Sequence, residues 1–501
     1  MKRGHMGRSF DFSLDLIIFL YSSLTETLKY KINSSTIRSK EMTITLQKLT
    51  KLLGVLCYLT SILYLIELFM PSDLLRLIYS GIAFILLVST LFFLTSVNRL
   101  IVLALIGTGI ICFYIEQTSI LTALSGFGEN INLLSLFLLI PIIGTFMSTA
   151  GYLSALKHTV QSNQHKSGQH PYRFSFILTG SISILLNFGS MAIVKRIITE
   201  SFSGYQKKKL TLTIMRAFAT SMLWSPYFVN VGLVLVLFDL SWFDIGGFGF
   251  MLGIIYIVYC AIMFRFISFS DDPRIEQETE IETDKQVSSS LLPFFTFSTV
   301  LISLSFILDY LLAVKMLTIV SLLAIVLPFL WAFFTRIFKT FFQDVTEQVL
   351  HSFDLLKNEL AVFISAGFLG MAMASTDIGI FLSTVLFQAS FDSVFLLSLL
   401  LIIVATVLAQ IGIHPVIIVI GIGNALSPDK FGVSPEYLAL VLLVAWTVST
   451  QISPFSGQVL MASRLMEQPT KIIVKQNFVF ISILAIILTS VLYGFNLLGW
   501  I

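Results

Sequence analysis

Apolar stretches about twenty residues long alternate with short polar segments along almost the whole chain, and that is the length at which a helix crosses a bilayer core. The first four lie at about 52–70, 77–95, 99–118 and 132–156. A polar loop (157–173) leads to a stretch at 174–194 that is rich in Ser and Gly and ends in Lys195 and Arg196. Next come a span at 210–238, broken at Trp224-Ser225-Pro226, and a span at 245–267. The polar segment 268–290 reads as a linker between two halves. Spans at 291–314, 316–335 and 358–385 follow, then an interrupted stretch at 392–426, a span at 437–463 broken at Ser453-Pro454, and a last span at 477–497. Residues 336–357 alternate apolar and polar side chains at helical spacing, which predicts an amphipathic helix lying in the membrane interface. The polar, Lys-rich arm 1–51 has no secretory signal pattern and reads as cytoplasmic.

Composition agrees with this pattern. Of 501 residues, 56% are hydrophobic and only 12% charged, with a mean hydropathy of +0.92. About 25% charged is usual for a soluble domain. The predicted class is an all-α polytopic membrane protein, and nucleic-acid binding and soluble enzymes drop out. Cys57, Cys112 and Cys260 all fall in apolar stretches, so neither a disulfide framework nor a Cys/His metal centre is implied.

Basic residues set the orientation. With the N-terminus inside, 27 of the 31 Lys and Arg face the cytoplasm if 174–194 and 392–426 both return to the side they entered. Arg76, Lys315 and Lys430 are then outside, and Arg216 lies within a span. If 174–194 crossed fully, the five basic residues at 195–209 would move outside. The count therefore predicts about eleven transmembrane helices and two re-entrant hairpins, the first opening inward and the second outward. The expected location is a cytoplasmic membrane of the bacterial type.

The two halves match at a near-constant offset. Ser221 to Tyr227, with Ser225-Pro226, precedes Ser449 to Phe455, with Ser453-Pro454, by 228 residues. Gly144 with Ser148-Thr149-Ala150 precedes Gly370 with Ala374-Ser375-Thr376 by 226. The hairpin tips, Asn187-Phe188-Gly189-Ser190 and Gly412-Ile413-His414-Pro415, each stand some forty residues before their Ser-Pro break. Under the topology above the matching units run in opposite directions, the inverted-repeat signature of secondary transporters. The residue types make chemical sense. Proline leaves a carbonyl without its donor, which a membrane tolerates only around a cavity or inside protein. Freed carbonyls and hydroxyls can cage a hard cation, and half-helix N-termini can face an anion. The expected parts are thus a scaffold (52–131 and 291–357), repeat 1 (132–238, with hairpin 174–203), a helix at 239–267, repeat 2 (358–465) and a C-terminal helix (466–501).

These segments resemble the ion transporter superfamily, and most closely its divalent anion/sodium symporters, over about 130–235 and 355–465. That family carries Ser-Asn-Thr at its hairpin tips and a Thr-Pro-Pro-Asn-like sequence at its helix breaks. Here Ser225-Pro226 to Asn230 and Ser453-Pro454 to Ser456 stand at the breaks, while neither tip retains Ser-Asn-Thr. The resemblance implies a homodimer, an elevator-like moving domain, and an interfacial arm for which 336–357 stands.

The expected binding set for solute and cation is Thr149, Asn187, Gly189, Ser190, Ser221, Ser225, Asn230, Ser375, Thr376, Asp377, His414, Ser449, Thr450, Ser453 and Ser456, with Pro226, Pro415 and Pro454 as helix breaks. Na+ is the suspected metal at the Ser, Thr and Asn positions, with H+ as the other coupling ion and no organic cofactor. Asp377 can hold sodium, carry a proton or cap a half-helix. His414 is either a proton-sensitive contact or bonded to tip backbone. Arg216 lies some six residues into its span, so it either snorkels to the interface or acts as a gate. The expected function is secondary active transport of a small, anionic solute, by import or export. A membrane enzyme such as a glycan polymerase or ligase needs an extracytoplasmic working surface, and the longest exterior loop is about thirteen residues (119–131). A channel is the third reading, but no charged ring lines a repeated pore.

Overall fold

The computed structural model describes residues 36–156, 171–186, 189–202, 204–266, 274–276, 290–312, 314–374 and 378–501. Asn187 and residues 375–377, with Asp377 among them, lie outside these, as do most of the 157–173 loop and of the 268–290 linker.

Helices α1 (Thr36–Phe69), α2 (Asp73–Leu91) and α3 (Ser96–Ile115) come first; α4 (Ile120–Ser125) and a short turn lead into α5 (Ile131–Thr149). Then follow α6 (Pro171–Leu186), α7 (Gly189–Ser201), strand β1 (Gly204–Gln206), α8 (Lys207–Ser221), α9 (Val229–Leu237) and α10 (Trp242–Phe266). Strand β2 (Arg274–Glu276) precedes α11 (Leu292–Leu311), α12 (Met316–Phe334) and α13 (Phe338–Ala374). The remainder is α14 (Ile378–Ala389), α15 (Val394–Gln410), α16 (Pro415–Ala425), α17 (Pro428–Phe431), α18 (Pro435–Ile452), α19 (Gly457–Met466) and α20 (Thr470–Leu497).

Ten helical segments among the described residues are long and apolar enough to cross a membrane. They correspond to ten of the eleven spans the hydropathy predicts. The eleventh, 210–238, is divided between α8 (15 residues) and α9 (9 residues). Large apolar side chains such as Leu100, Tyr114, Phe333 and Val479 stand on the outside. In water such a surface would be unstable; lipid makes it the favourable arrangement. The chain is an integral membrane protein.

Two expectations need correction. Residues 336–357 do not form a separate interfacial helix: α13 runs unbroken for 37 residues, roughly 55 Å at 1.5 Å per residue. No Gly or Pro interrupts 338–357, and Asp344 and Gln348 tie one side of it to protein while Lys339, Gln343, Glu347, His351 and Asp354 stay exposed. Thr149 Oγ1 donates to Asp344 Oδ2, Thr145 Oγ1 to Gln348 Oε1, and Gln348 Nε2 to Tyr58 Oη. Likewise α1 begins at Thr36, inside the segment read as a polar arm.

Hydrogen bonds fix the directions of the interrupted segments. At the start of α6, the Tyr172 hydroxyl accepts from Gln206 N (2.7 Å), just before α8. Further along, Ser183 meets Ser221 (2.8 Å), and the Ile184 carbonyl accepts from the Ser225 hydroxyl (3.1 Å). So α6 and α8 run side by side in the same direction, and α7 must bring the chain back to where α6 began. In the second half Ser398 meets Tyr437 (2.8 Å), and the Ala409 carbonyl accepts from Ser453 (2.7 Å). By the same reasoning α15 runs parallel to α18, and the chain from α16 to α17 returns.

Contacts between the halves are reciprocal. The first half of each broken helix packs on the second half of the other, α8 on α19 and α18 on α9. The second arm of each interrupted pair does the same, α7 on α19 and α16 on α9. Lys207 pairs with Glu467 (2.7 Å), and Gln458 Nε2 donates to Met215 O (2.8 Å), so α8 and α19 run antiparallel. Strand β1 pairs with β2, which ties the entrance of α8 to the exit of α10.

Candidate functional site

Each Ser-Pro sequence interrupts its helix for one reason, and each gap is closed in the same way. Pro226 cannot donate to the carbonyl four residues back, Met222 O; the Asn230 amide donates there instead (2.6 Å). Pro454 leaves Thr450 O without its donor, and the Ser456 hydroxyl takes that place (2.5 Å). Ser225 Oγ accepts from Tyr227 N and Ser453 Oγ from Phe455 N, while both hydroxyls donate across to the neighbouring arm. Ser456 and Ser434 also cap the helices that follow them, and His414 caps α16 through Nδ1, which accepts from Val416 N (3.3 Å).

Donors from other elements also reach carbonyls beside the breaks: Trp242 Nε1 on Trp224 O (2.7 Å), Asn477 Nδ2 on Gln451 O (3.2 Å) and Gln410 Nε2 on Ile452 O. Unpaired carbonyls are costly inside a membrane protein, and an indole and two side-chain amide N–H groups meet these three. Trp242, Asn477 and Gln410 were missed because each comes from a different element. Asn477 carried a weak signal, as the first residue of the otherwise apolar span 477–497.

The structure brings Ser221 and Ser225 together against α6, joins Thr450 with Ser456, and sets Ser453 against α15. Ser449 and Thr450 also bond back to Trp446 O within α18. Ser190 is buried one residue into α7, after Gly189 at its start. Thr149 is placed elsewhere, on Asp344 of α13. Asn187, Ser375, Thr376 and Asp377 lie outside the described residues.

Arg216 does not snorkel. It is 7% exposed, its Nε donates to Asn477 Oδ1 (3.0 Å), and its guanidinium lies 3.7 Å from the centre of the Phe480 ring. Its Nη2 and the Gln458 Oε1 are buried without partners. Asn477 therefore bridges Arg216 to the carbonyl of Gln451, whose side chain accepts from Tyr256 Oη (2.6 Å). Lys207 and Lys209, counted above among the cytoplasmic basic residues, face protein groups. Lys207 pairs with Glu467, and Lys209 lies over the Tyr172 and Phe264 rings. The Lys207 ammonium holds the Glu467 carboxyl below its ordinary range.

Two cavities adjoin the breaks. One of about 590 Å³ lies between α5, α6, α7 and α9; Gly144, Thr145 and Ser148 line it together with Leu186 and Val229. A groove of about 680 Å³ beside Pro454 and Phe455 is lined by Gln410, Lys471 and Lys475. Both fall in the usual range for small-molecule sites. Among the described residues, no group of three His, Cys, Asp or Glu is placed to hold a metal ion. The chain matches no protein-family model and no curated protein.

Proposed function

We propose that this protein is a secondary active transporter that moves a small anionic solute, coupled to Na+ or H+, by elevator-type alternating access in a homodimer. One observation carries the reading: two proline-broken helices run in opposite directions, each flanked by a parallel arm that accepts a hydrogen bond from the break serine. Duplicated, inverted, discontinuous helices suit a site that is reached alternately from two sides. The return of α7 and of α16–α17 to their starting ends supports re-entrant hairpins, and with the charge count it supports a cytoplasmic N-terminus. The resemblance to divalent anion/sodium symporters adds the dimer and the moving domain. Anion preference rests on the four helix N-termini at the tips and breaks, and on Lys471 and Lys475 in the groove at the second break.

The test is thermal unfolding of the purified protein in NaCl against choline chloride at equal ionic strength, at pH 6 and pH 8, with and without a panel of small organic and inorganic anions. A ligand of the folded form stabilises it by RT ln(1 + [L]/Kd). A saturable rise with Na+ or with pH, enlarged by one of the anions, is the expected result. A melting temperature indifferent to cation, pH and every anion would count against transport of this kind.

A further inference from the structure

At the second tip a carboxyl group that sequence reasoning passed over faces His414. Glu359, on α13, places Oε1 3.8 Å from His414 Nε2, and the two side chains are 18% and 27% exposed. The other carboxyl oxygen, Oε2, is buried with no hydrogen-bond donor. We propose that Glu359 is the site at which this protein binds its coupling proton, and that its charge sets the position of the second tip. The inference deepens the transport reading above and rests on it.

Three features of the geometry lead there. First, Nδ1 of His414 accepts from Val416 N, so the neutral ring carries its proton on Nε2, directed at Glu359. A second proton on the imidazole would set Nδ1–H against the Val416 N–H and cost the cap of α16. The histidine therefore keeps one proton, and the carboxyl is the group that exchanges.

Second, no other charged group among the described residues neutralises the carboxylate. Among the described residues His414 alone lies within ion-pair distance of Glu359. Charged groups on α13 and on the neighbouring α3 face elsewhere: Lys357 lies over the Phe93 ring and Arg99 donates to Leu94 O. A carboxyl oxygen buried without a donor is satisfied by taking up a proton.

Third, the tip can respond. Gly412, two residues before His414, has φ +96°, a conformation open to glycine and strained for other residues. Ionised Glu359 attracts Nε2–H, and closing the gap to a charge-assisted bond takes about 1 Å of tip movement. Uptake of one proton converts the carboxylate to the neutral acid, with His414 unchanged, and releases that attraction. Gly412 sits against Phe455 of the second break, so the movement is felt where solute access is decided.

The test uses the full chain in detergent with Cys57, Cys112 and Cys260 replaced by Ala. Maleimide labelling of Ile413→Cys is measured from pH 5.5 to 8.5, relative to Asp392→Cys at the far end of α15, which cancels the reagent's own pH dependence. The ratio is expected to change by on the order of threefold, as one charge-assisted hydrogen bond redistributes two tip positions. Glu359→Gln should give a flat profile held at the low-pH value, and Glu359→Asp should restore the response, which separates proton binding from misfolding. A pH-insensitive parent, or a Glu359→Gln protein that responds like the parent, overturns the proposal. Labelling reads the tip alone, so that outcome leaves the transport reading to the cation and anion titration.

Discussion

Removing the partners of Arg216 should cost more than removing Arg216 itself. An arginine at a helix centre costs about 2.5–3.5 kcal/mol on insertion scales. Here two interactions offset that cost. A hydrogen bond from a charged donor to Asn477 contributes roughly 1.5–3 kcal/mol, and a desolvated guanidinium over the Phe480 ring about 2 kcal/mol. Together they exceed the cost by roughly 1 kcal/mol, and the buried, partnerless Nη2 takes back about as much, so Arg216→Met should change stability by no more than about 1 kcal/mol. Asn477→Leu in the parent, by contrast, strands a buried charge, and its cost should exceed that of the same change in Arg216→Met by about 2 kcal/mol. The loss of the Asn477 bond to Gln451 O is common to both backgrounds and cancels in the cycle. Unfolding in mixed detergent–SDS micelles, followed by circular dichroism, supplies the four free energies. If Asn477→Leu costs the same in both backgrounds to within about 0.5 kcal/mol, the account of Arg216 is wrong.

Gly249 of α10 lies so close to the first break that an added Cβ would stand 2.2 Å from the Leu223 carbonyl, whereas at Gly247 it meets nothing within 4 Å. Gly249→Ala should therefore lower the melting temperature, at a cost of about 3 kcal/mol, and Gly247→Ala should leave it equal or higher. Ser456→Ala and Asn230→Leu each strand a proline-orphaned carbonyl and should cost about 1–3 kcal/mol in the same unfolding assay, while Ser463→Ala, at the exposed end of α19, should not. The Glu467 carboxyl is held low by Lys207, so its stabilising effect is present above the ordinary carboxylate range and lost as pH falls below it. Melting of the parent and of Glu467→Gln should differ near pH 7 and converge near pH 3, and added salt should narrow the gap at pH 7.

The features legible in the sequence were those with local causes. Proline acts on the carbonyl four residues before it, so Ser225-Pro226 and Ser453-Pro454 located both breaks to within a few residues. The arms of the interrupted stretches followed from their glycines and from the basic residues at 195–209. Partnerships between distant segments were not legible. Arg216 meets Asn477 across 261 residues, and hydropathy rates a charge by its depth in a span without seeing what faces it. The same blindness hid Trp242, Asn477 and Gln410, which donate to carbonyls beside the breaks. Glu359 was overlooked because 336–357 was read as a separate interfacial helix, which left the carboxyl at a boundary. Its place within unbroken α13, opposite His414, gives it meaning. The pairing of β1 with β2 had no signal, since three-residue strands carry almost no pattern.

The central claim, two re-entrant units of opposite orientation, is tested most directly by the sidedness of four positions. In a background with the three natural cysteines replaced, single cysteines at Arg173 and Lys208 flank the first hairpin, and at Asp392 and Lys430 the second. Labelling with a membrane-impermeant maleimide in intact cells and in inverted vesicles places each one. The account predicts Arg173 and Lys208 on the cytoplasmic side, and Asp392 and Lys430 outside. Members of one pair on opposite sides, or both pairs on the same side, would contradict it.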